Sequence, residues 1–235
     1  MPPAFDDQVA AYDRWYDTPL GRLVDRVEKE ALFALAPDLG GRLVLEVGCG
    51  TGNITLALAR RGARLVGLDV SLPMLAAAQR RAREQGFPIK LVRGLAGSLP
   101  CAAARFDGVI SILALDFMAD RPGAVDDMVR VLKPGGFLVL AMLNRYSLWT
   151  AKRVVRAWFT PSLWREVRFS TLKELRQLLA DHGDLENVST AQAVYFPPWS
   201  APFLLRHYPA LESWGQRLGL PTGAFLVAAA RKRLT

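Results

Sequence analysis

The 235-residue chain is predicted to adopt an α/β fold with a mostly parallel sheet. Short apolar segments typical of buried strands alternate with segments whose apolar residues recur at helical spacing. The connections between successive strands have ordinary crossover lengths, which favours parallel neighbours with right-handed connections. We expect a single domain that spans residues 1–235, because the chain is short for two.

The clearest element is a strand that ends in three alternating glycines. Arg42 to Val47 is predicted to be a buried strand, Gly48, Gly50 and Gly52 follow it, and the apolar period then becomes helical. Glycine allows positive φ and close approach of a ligand to the backbone, and the free N–H groups of the helix start point into the same crevice. A dinucleotide site would place the third glycine one residue later, and a P-loop would need Gly-Lys-Ser/Thr. A turn without a ligand is the remaining alternative.

The next predicted strand, Ala63 to Asp69, ends on an acidic residue. Asp69 lies nineteen positions after Gly50, the distance at which a β-α-β unit brings a carboxylate beside a ribose. Such a carboxylate can accept hydrogen bonds from the 2′ and 3′ hydroxyls of an adenosine. Ser71 is predicted to cap the following helix. Met74 would either contact an adenine ring through its thioether or pack in the core.

The alternation continues to a fifth strand. The further strands are predicted at residues 88–93, 106–113 and 137–143, with a helix from Asp120 and a tight turn at 133–136 before the last of them. Ligands bind at the carboxyl ends of the strands in such sheets. Asp116, Asn144 and Tyr146, which follow these ends, are therefore candidate catalytic residues.

Three segments lie outside the alternation: an N-terminal arm at residues 1–20 and inserts at about 144–170 and 197–222. Tyr12 and Tyr16 share a helix face. The arm would either cover the ligands, with both tyrosines as candidate catalytic residues, or pack as an aromatic staple. The first insert contains an amphipathic helix that would cover an acceptor pocket, lie on a membrane surface or pack on the domain. The second insert is predicted to be irregular.

The C-terminal part is predicted to add a helix and a hairpin. Thr171 and Glu174 form a capping-box pattern, and His182 with the glycine after it is predicted to end this helix. Residues 186–196 and 223–231 are predicted to be two strands that pair as a hairpin around the second insert.

Composition narrows the class of protein. The formal net charge is +8, but no block of five or more like charges occurs, so we attribute most of it to solvated helix ends. The two cysteines, Cys49 and Cys101, fit a reducing compartment, and no metal-ligand spacing is present. The longest apolar runs are too short to span a bilayer, and the N-terminus lacks a signal-peptide pattern. We therefore expect a cytoplasmic protein without a metal.

Four segments resemble the motifs of the class I S-adenosylmethionine-dependent methyltransferases. They are Glu46–Gly52, Leu65–Ser71, Phe106–Ser111 and Arg130–Val139. Their order and spacing are similar to the small-molecule branch that includes the ubiquinone and menaquinone methyltransferases. The resemblance implies S-adenosylmethionine as the cofactor and a Rossmann-like, seven-stranded, mostly parallel sheet with a C-terminal antiparallel hairpin and helices on both faces.

The resemblance also implies a cofactor site. The three glycines would line the methionine part of the cofactor, Asp69 would take the ribose hydroxyls and Met74 would flank the adenine. This chain has Leu95 where the family often has an acidic residue that bonds the adenine amino group, so the backbone N–H of Ala96 and apolar contacts would have to serve there. The full predicted set is Glu46, Gly48, Cys49, Gly50, Gly52, Asp69, Val70, Met74, Leu95 and Ala96.

The chemistry implied by the resemblance needs few polar residues. A sulfonium is already a strong methyl donor, so the protein mainly aligns the acceptor, and a general base is needed only if the acceptor must lose a proton. We expect a small, apolar or aromatic acceptor because the arm and inserts are rich in aromatic residues. The alternatives are a methyltransferase acting on protein, on nucleic acid or on a membrane lipid or quinone, an NAD-dependent oxidoreductase, and a non-catalytic cofactor-binding subunit. We expect no nucleic-acid partner, because no aromatic-flanked basic stripe is evident.

Overall fold

The computed structural model describes residues 6–160 and 162–234 of the chain. Its strands are β1 (Leu43–Val47), β2 (Arg64–Asp69), β3 (Ile89–Arg93), β4 (Phe106–Ile112), β5 (Leu132–Leu143), β6 (Leu185–Ala193) and β7 (Phe225–Lys232). They form one sheet with the order β3-β2-β1-β4-β5-β7-β6. Strands β1 to β5 are parallel, and β7 is antiparallel to both β5 and β6. The predicted fold class, including the C-terminal antiparallel pair, is confirmed.

Helices cover both faces of this sheet. They are α1 (Val9–Asp17), α2 (Pro19–Leu35), α3 (Asn53–Ala59), α4 (Leu72–Glu84), α5 (Arg121–Val131), α6 (Leu148–Phe159), α7 (Leu172–Ala180), α8 (Pro202–Leu205) and α9 (Tyr208–Arg217). Met128 and Leu179 place α5 and α7 in the core on one face. Val24, Trp149 and Tyr208 place α2, α6 and α9 in the core on the other. The burial of apolar side chains on both faces explains why the central strands are apolar runs rather than alternating patterns.

The N-terminal ends of several helices follow local sequence signals. The side chains of Thr18, Ser71 and Asp120 accept hydrogen bonds from backbone N–H groups in the first turns of α2, α4 and α5. Thr171 and Glu174 form the predicted capping box at the start of α7. Each cap satisfies backbone donors that have no partner inside the helix.

Three predictions of local structure are wrong. The turn at 133–136 lies inside β5, which begins at Leu132 and carries an irregularity in its pairing with β4. The insert at 197–222 is not irregular throughout, because α8 and α9 lie in it. Helix α7 is capped by Asp181 rather than His182. His182 instead accepts a hydrogen bond from the backbone N–H of Asp184, and its Nε2 lies 3.4 Å from Asp126.

Candidate functional site

The glycine turn lies at the carboxyl end of β1, in the middle of the sheet. The N–H groups of Gly48 and Cys49 both donate to the carbonyl of Leu68, at 2.7 and 3.0 Å. All three glycines have positive φ, between 51° and 82°, a conformation that side chains with Cβ rarely adopt. The two hydrogen bonds to Leu68 hold the turn against the end of β2.

Space distinguishes the three glycines. A Cβ on Gly48 would lie 2.3 Å from the Cβ of Ala114, and one on Gly52 would lie 3.1 Å from the Cβ of Ala78. A Cβ on Gly50 would meet no atom of the described residues within 4 Å. Gly48 and Gly52 therefore allow elements to pack closely, whereas Gly50 borders open space that a ligand can approach.

Asp69 lies directly against this turn. Its Oδ2 accepts a hydrogen bond from the N–H of Gly50 at 2.8 Å, and its Oδ1 accepts one from the N–H of Ser71 at 2.9 Å. The two bonds fix the orientation of the carboxylate, and each oxygen keeps a further lone pair. Asp69 is half-buried, so the carboxylate is oriented and still accessible, as a ribose-binding group requires.

Glu46 lies beneath the turn and is buried. Its Oε2 accepts a hydrogen bond from the hydroxyl of Thr55 at 2.5 Å. The pKa of Glu46 is raised to about 8, chiefly by burial and also by the nearby carboxylate of Asp69, whereas the hydrogen bond from Thr55 and the charge of Lys29 lower it. Without a bound cation, Glu46 is therefore mostly protonated at neutral pH.

The other predicted cofactor-binding residues occupy different positions. Cys49 is buried, and its Sγ lies over Gly67 of β2, which leaves its backbone as the part that borders the turn. Met74 and Ala96 are buried, whereas Leu95 is 51% exposed and Val70 is half-buried. The structure thus provides an exposed apolar side chain at position 95, where the family often has an acid.

The N-terminal arm is held beside the glycine turn by polar contacts that the sequence did not indicate. Asp13 of α1 forms an ion pair with Arg81 of α4 at 2.9 Å, and Arg81 also donates to the hydroxyl of Thr51 inside the turn at 3.1 Å. The hydroxyl of Ser71 donates to Asp6. These contacts place the described part of the arm next to the turn, at the carboxyl ends of β1 and β2.

Tyr12 and Tyr16 are brought together as predicted, with their hydroxyl oxygens 3.1 Å apart. Desolvation by the surrounding protein raises the pKa of Tyr12 to about 12 and raises that of Tyr16 well above its usual value. Glu28 of α2 interacts electrostatically with both tyrosines. Desolvation raises the pKa of Glu28 to about 8, so its carboxyl group can exchange a proton near neutral pH.

Sequence analysis missed Glu28 and the residues around it. Lys29 donates to Asp25 at 2.7 Å and to Asn53 at 2.9 Å, and Asn53 donates to Asp25 at 2.6 Å. This triad joins α2 to the first residue of α3. The charged residues of α2 resemble any solvated helix face in the sequence, so only the three-dimensional arrangement distinguishes them.

The three candidates that follow strand ends differ from one another. Asn144 is buried, and its amide nitrogen donates to the carbonyls of Pro221 and Gly223 at 2.8 and 2.7 Å, so we assign it a structural role. Asp116 is fully buried, and it accepts a hydrogen bond from the N–H of Leu143 at 3.0 Å. Burial raises the pKa of Asp116 to about 8. Tyr146 is 63% exposed and remains open to solvent.

A surface groove lies apart from the glycine turn. It encloses about 560 Å³ between α5 and α7 and is lined by Arg121, Arg145 and Arg168 among others. Arg121 and Arg145 already donate to backbone carbonyls of residues 168 and 169, which identifies them as a structural clamp. Within the described ranges, no group of three His, Cys, Asp or Glu side chains could hold a metal ion, and no helix is long and apolar enough to cross a bilayer.

Comparison with known proteins agrees with this geometry. Residues 45–140 match the family model described as a methyltransferase domain. The chain is 31% identical over 176 residues to a ubiquinone biosynthesis O-methyltransferase of Methylobacterium, covering 71% of this chain and 70% of that protein. It is 34% identical over 174 residues to an uncharacterized protein of Mycobacterium tuberculosis, but spans only 57% of that relative's length.

A solved structure extends the likeness to nearly the whole chain. A SAM-dependent methyltransferase of Thermotoga maritima superposes with a TM-score of 0.78 at 22% identity, covering 99% of this chain and 100% of that one. At this identity the likeness concerns the fold alone. Together with the family model and the Methylobacterium relative, the four motifs and the glycine turn show that the chain belongs to the class I S-adenosylmethionine-dependent methyltransferases.

Proposed function

We propose that this protein transfers the methyl group of S-adenosylmethionine to a small-molecule acceptor bound between the N-terminal arm and α6. The observation that carries the proposal is the open space at Gly50, bordered by the oriented carboxylate of Asp69. The name of the Methylobacterium relative, which refers to ubiquinone biosynthesis, supports a small acceptor. Membership of this family replaces the alternative of an NAD-dependent oxidoreductase.

The residues around the turn fit the cofactor. The open space at Gly50 leaves room for a ligand. Asp69 offers free lone pairs to two hydroxyls, and Glu46 would ionise beside a cationic group and stabilise that group. When bound, S-adenosylmethionine supplies an electrophilic methyl group: the acceptor's lone pair takes it while the carbon–sulfur bond breaks and its electrons return to sulfur. The protein's part is to bind, to orient and to exclude water.

The groups that would bind or accept a proton of the acceptor lie on the arm and α2. Glu28, with its pKa near 8, suits the removal of a proton from an acceptor that loses one during attack. A tyrosine hydroxyl is neutral at pH 7 even at its ordinary pKa, and the pKa values of Tyr12 and Tyr16 are raised further, so both would position the acceptor by hydrogen bonds rather than accept its proton. Glu28 is accordingly the general base that we propose.

Methyl transfer itself tests the proposed function. Purified protein would be incubated with isotopically labelled S-adenosylmethionine and a heat-inactivated cell extract that retains small molecules, protein and nucleic acid, and the label would be followed by mass spectrometry in the three separated fractions. We expect label in the low-mass fraction, at least tenfold less of it with Glu28→Gln, and unchanged labelling with the exposed Glu30→Gln on the same helix. Label found only in protein or nucleic acid would refute the small-molecule acceptor.

A membrane-associated acceptor is a second candidate, because large apolar side chains on two neighbouring segments face solvent. Trp158 and Phe159 of α6 are 72% and 81% exposed, and Trp199 is 52% exposed. Lys152 of α6 donates to the carbonyl of Pro198, which brings these segments together. Aromatic side chains beside basic ones are typical of a helix that lies at a membrane surface.

Co-sedimentation with anionic phospholipid vesicles tests this candidate. Trp158→Asp should lower the vesicle partition coefficient about tenfold. Leu234→Asp is the matched control, because Leu234 is 83% exposed and lies beside Gly135, near the start of β5 and far from α6. Absence of vesicle binding by the unmodified protein, or an equal loss with both variants, would count against a membrane-associated acceptor.

A further inference from the structure

The guanidinium of Arg153 lies close to two indole rings of the first insert. Its Cζ is 4.4 Å from the ring centroid of Trp164 and 5.5 Å from that of Trp149. Its Nη1 is buried and has no hydrogen-bond partner among the described residues. A buried charged donor without an acceptor lowers the stability of the fold. Such atoms are rare in native proteins, so this one requires a structural or functional explanation.

The surrounding acids do not balance this charge. Glu28 and Asp116 both interact electrostatically with Arg153, but desolvation raises the pKa of each carboxyl group to about 8. Both are therefore mostly protonated at neutral pH. Burial lowers the pKa of Arg153 only to about 10, so the guanidinium stays positive. Neither carboxyl group therefore neutralises the guanidinium of Arg153 at neutral pH, and Asp116 also lies 3.8 Å from a second cation, Arg121.

The position of Arg153 connects it with the proposed acceptor site. Its electrostatic partners come from three elements: Tyr16 on α1, Glu28 on α2 and Asp116 after β4. Tyr12, the neighbour of Tyr16, interacts in turn with Glu28 and with Glu46 beneath the glycine turn. Arg153 therefore lies near the arm and α2, where we propose that the acceptor binds.

We propose that Arg153 is the anion-binding residue of the acceptor site and that the acceptor carries a carboxylate. A guanidinium binds a carboxylate through two parallel hydrogen bonds, and such an anion would supply the acceptor that Nη1 lacks. The two nearby indole rings stabilise the guanidinium charge through cation–π contacts. This inference rests on the proposed function, because it specifies the chemistry of the small molecule.

The test measures carboxylate binding to protein saturated with S-adenosylhomocysteine. Acetate, hexanoate and benzoate are titrated by calorimetry, with benzamide as the uncharged analogue of benzoate and inorganic phosphate as a non-carboxylate anion. We expect at least one carboxylate to bind, benzoate to bind more tightly than benzamide, and phosphate to bind at least tenfold more weakly than the best carboxylate. Arg153→Met should weaken that carboxylate at least tenfold and leave benzamide unchanged. Arg156→Met, an exposed position on the same helix, should change neither.

A readout of stability separates binding from packing. Because Arg153→Met removes a guanidinium whose buried Nη1 has no hydrogen-bond partner among the described residues, the variant's melting temperature without ligand should equal or exceed that of the unmodified protein. Arg153→Lys, which keeps the charge but loses the fork of donors, should also weaken carboxylate binding. A lower melting temperature with unchanged carboxylate affinity would assign Arg153 to packing and overturn the proposal.

The binding measurements can also overturn the proposal directly. Binding of none of the three carboxylates, or binding of phosphate alone, would overturn the proposal. The affinity for S-adenosylhomocysteine, measured on the same samples, distinguishes failure of the role of Arg153 from failure of the proposed function. If that product binds and methyl transfer to small molecules occurs while the carboxylates fail, only the role of Arg153 falls. If the product does not bind, the proposed function fails first.

Discussion

Replacing Asp69 by Ala removes the carboxylate that orients the glycine turn and that we propose binds the ribose. Loss of a charge-assisted hydrogen bond to the cofactor should cost about 1.5–3 kcal/mol, which corresponds to about 10- to 100-fold in the dissociation constant of S-adenosylmethionine. Two further bonds are lost within the protein, from the N–H groups of Gly50 and Ser71. At about 0.5–1.5 kcal/mol each, they should lower the melting temperature by several degrees.

Calorimetric titration with S-adenosylmethionine, below the melting temperature of the variant, measures the first effect, and thermal denaturation measures the second. Asp38→Ala is the matched control, since Asp38 is exposed and accepts one backbone hydrogen bond, from Gly40, at 3.2 Å. The control should leave the dissociation constant unchanged. If folded Asp69→Ala protein binds S-adenosylmethionine within twofold of the original affinity, Asp69 does not contact the ribose and our description of the site is wrong.

Two other substitutions examine the turn and the buried acids. Gly50→Ala should raise the dissociation constant of S-adenosylmethionine at least tenfold, because the added methyl group enters the space proposed for the cofactor. Gly86 also has positive φ and free space around it, so Gly86→Ala should lower stability without changing the dissociation constant. Equal affinities of the two variants for S-adenosylmethionine in calorimetry would contradict this expectation. Asp116 has its pKa raised to about 8, so the native state binds its proton more tightly and stability should fall as pH rises from about 4 to 8. Asp116→Asn should make that slope shallower by about 1.4 kcal/mol per pH unit, measured by urea unfolding at pH 5.5 and 7.5, and an unchanged slope would show that Asp116 is ionised throughout.

The strands, the glycine turn and the carboxylate at Asp69 could be predicted because their signals are local. Three alternate glycines and an acid at the end of the next predicted strand are visible within thirty residues of sequence. Asn144 shows the limit of such reasoning. A polar residue after β5 suggested chemistry, but its amide ties the end of β5 to the backbone at Pro221 and Gly223, about eighty positions away. Nothing in the local sequence distinguishes that structural role from a catalytic one.

Apart from Tyr12 and Tyr16, the residues of the proposed acceptor side could not be predicted, because they meet only in the folded chain. Arg153 has the pattern of a basic residue on an amphipathic helix, and the sequence does not show that two indoles and α2 enclose it. The ion pair between Asp13 and Arg81 likewise joins residues 68 positions apart. Such contacts depend on how the arm and α6 pack over the sheet, and neither element has a motif of its own.

The buried acids show how the site relates to stability. Glu28, Glu46 and Asp116 each have a pKa near 8 because burial disfavours their ionised forms. A chain selected for stability alone would avoid three such groups, since each weakens the native state as pH rises above the usual carboxyl range. Glu46 borders the place proposed for a cationic cofactor, and Glu28 borders the place proposed for the acceptor. The positive charge of the cofactor can stabilise the ionised form of Glu46, so we infer that the unfavourable burial of Glu46 in the empty site favours binding of the cofactor.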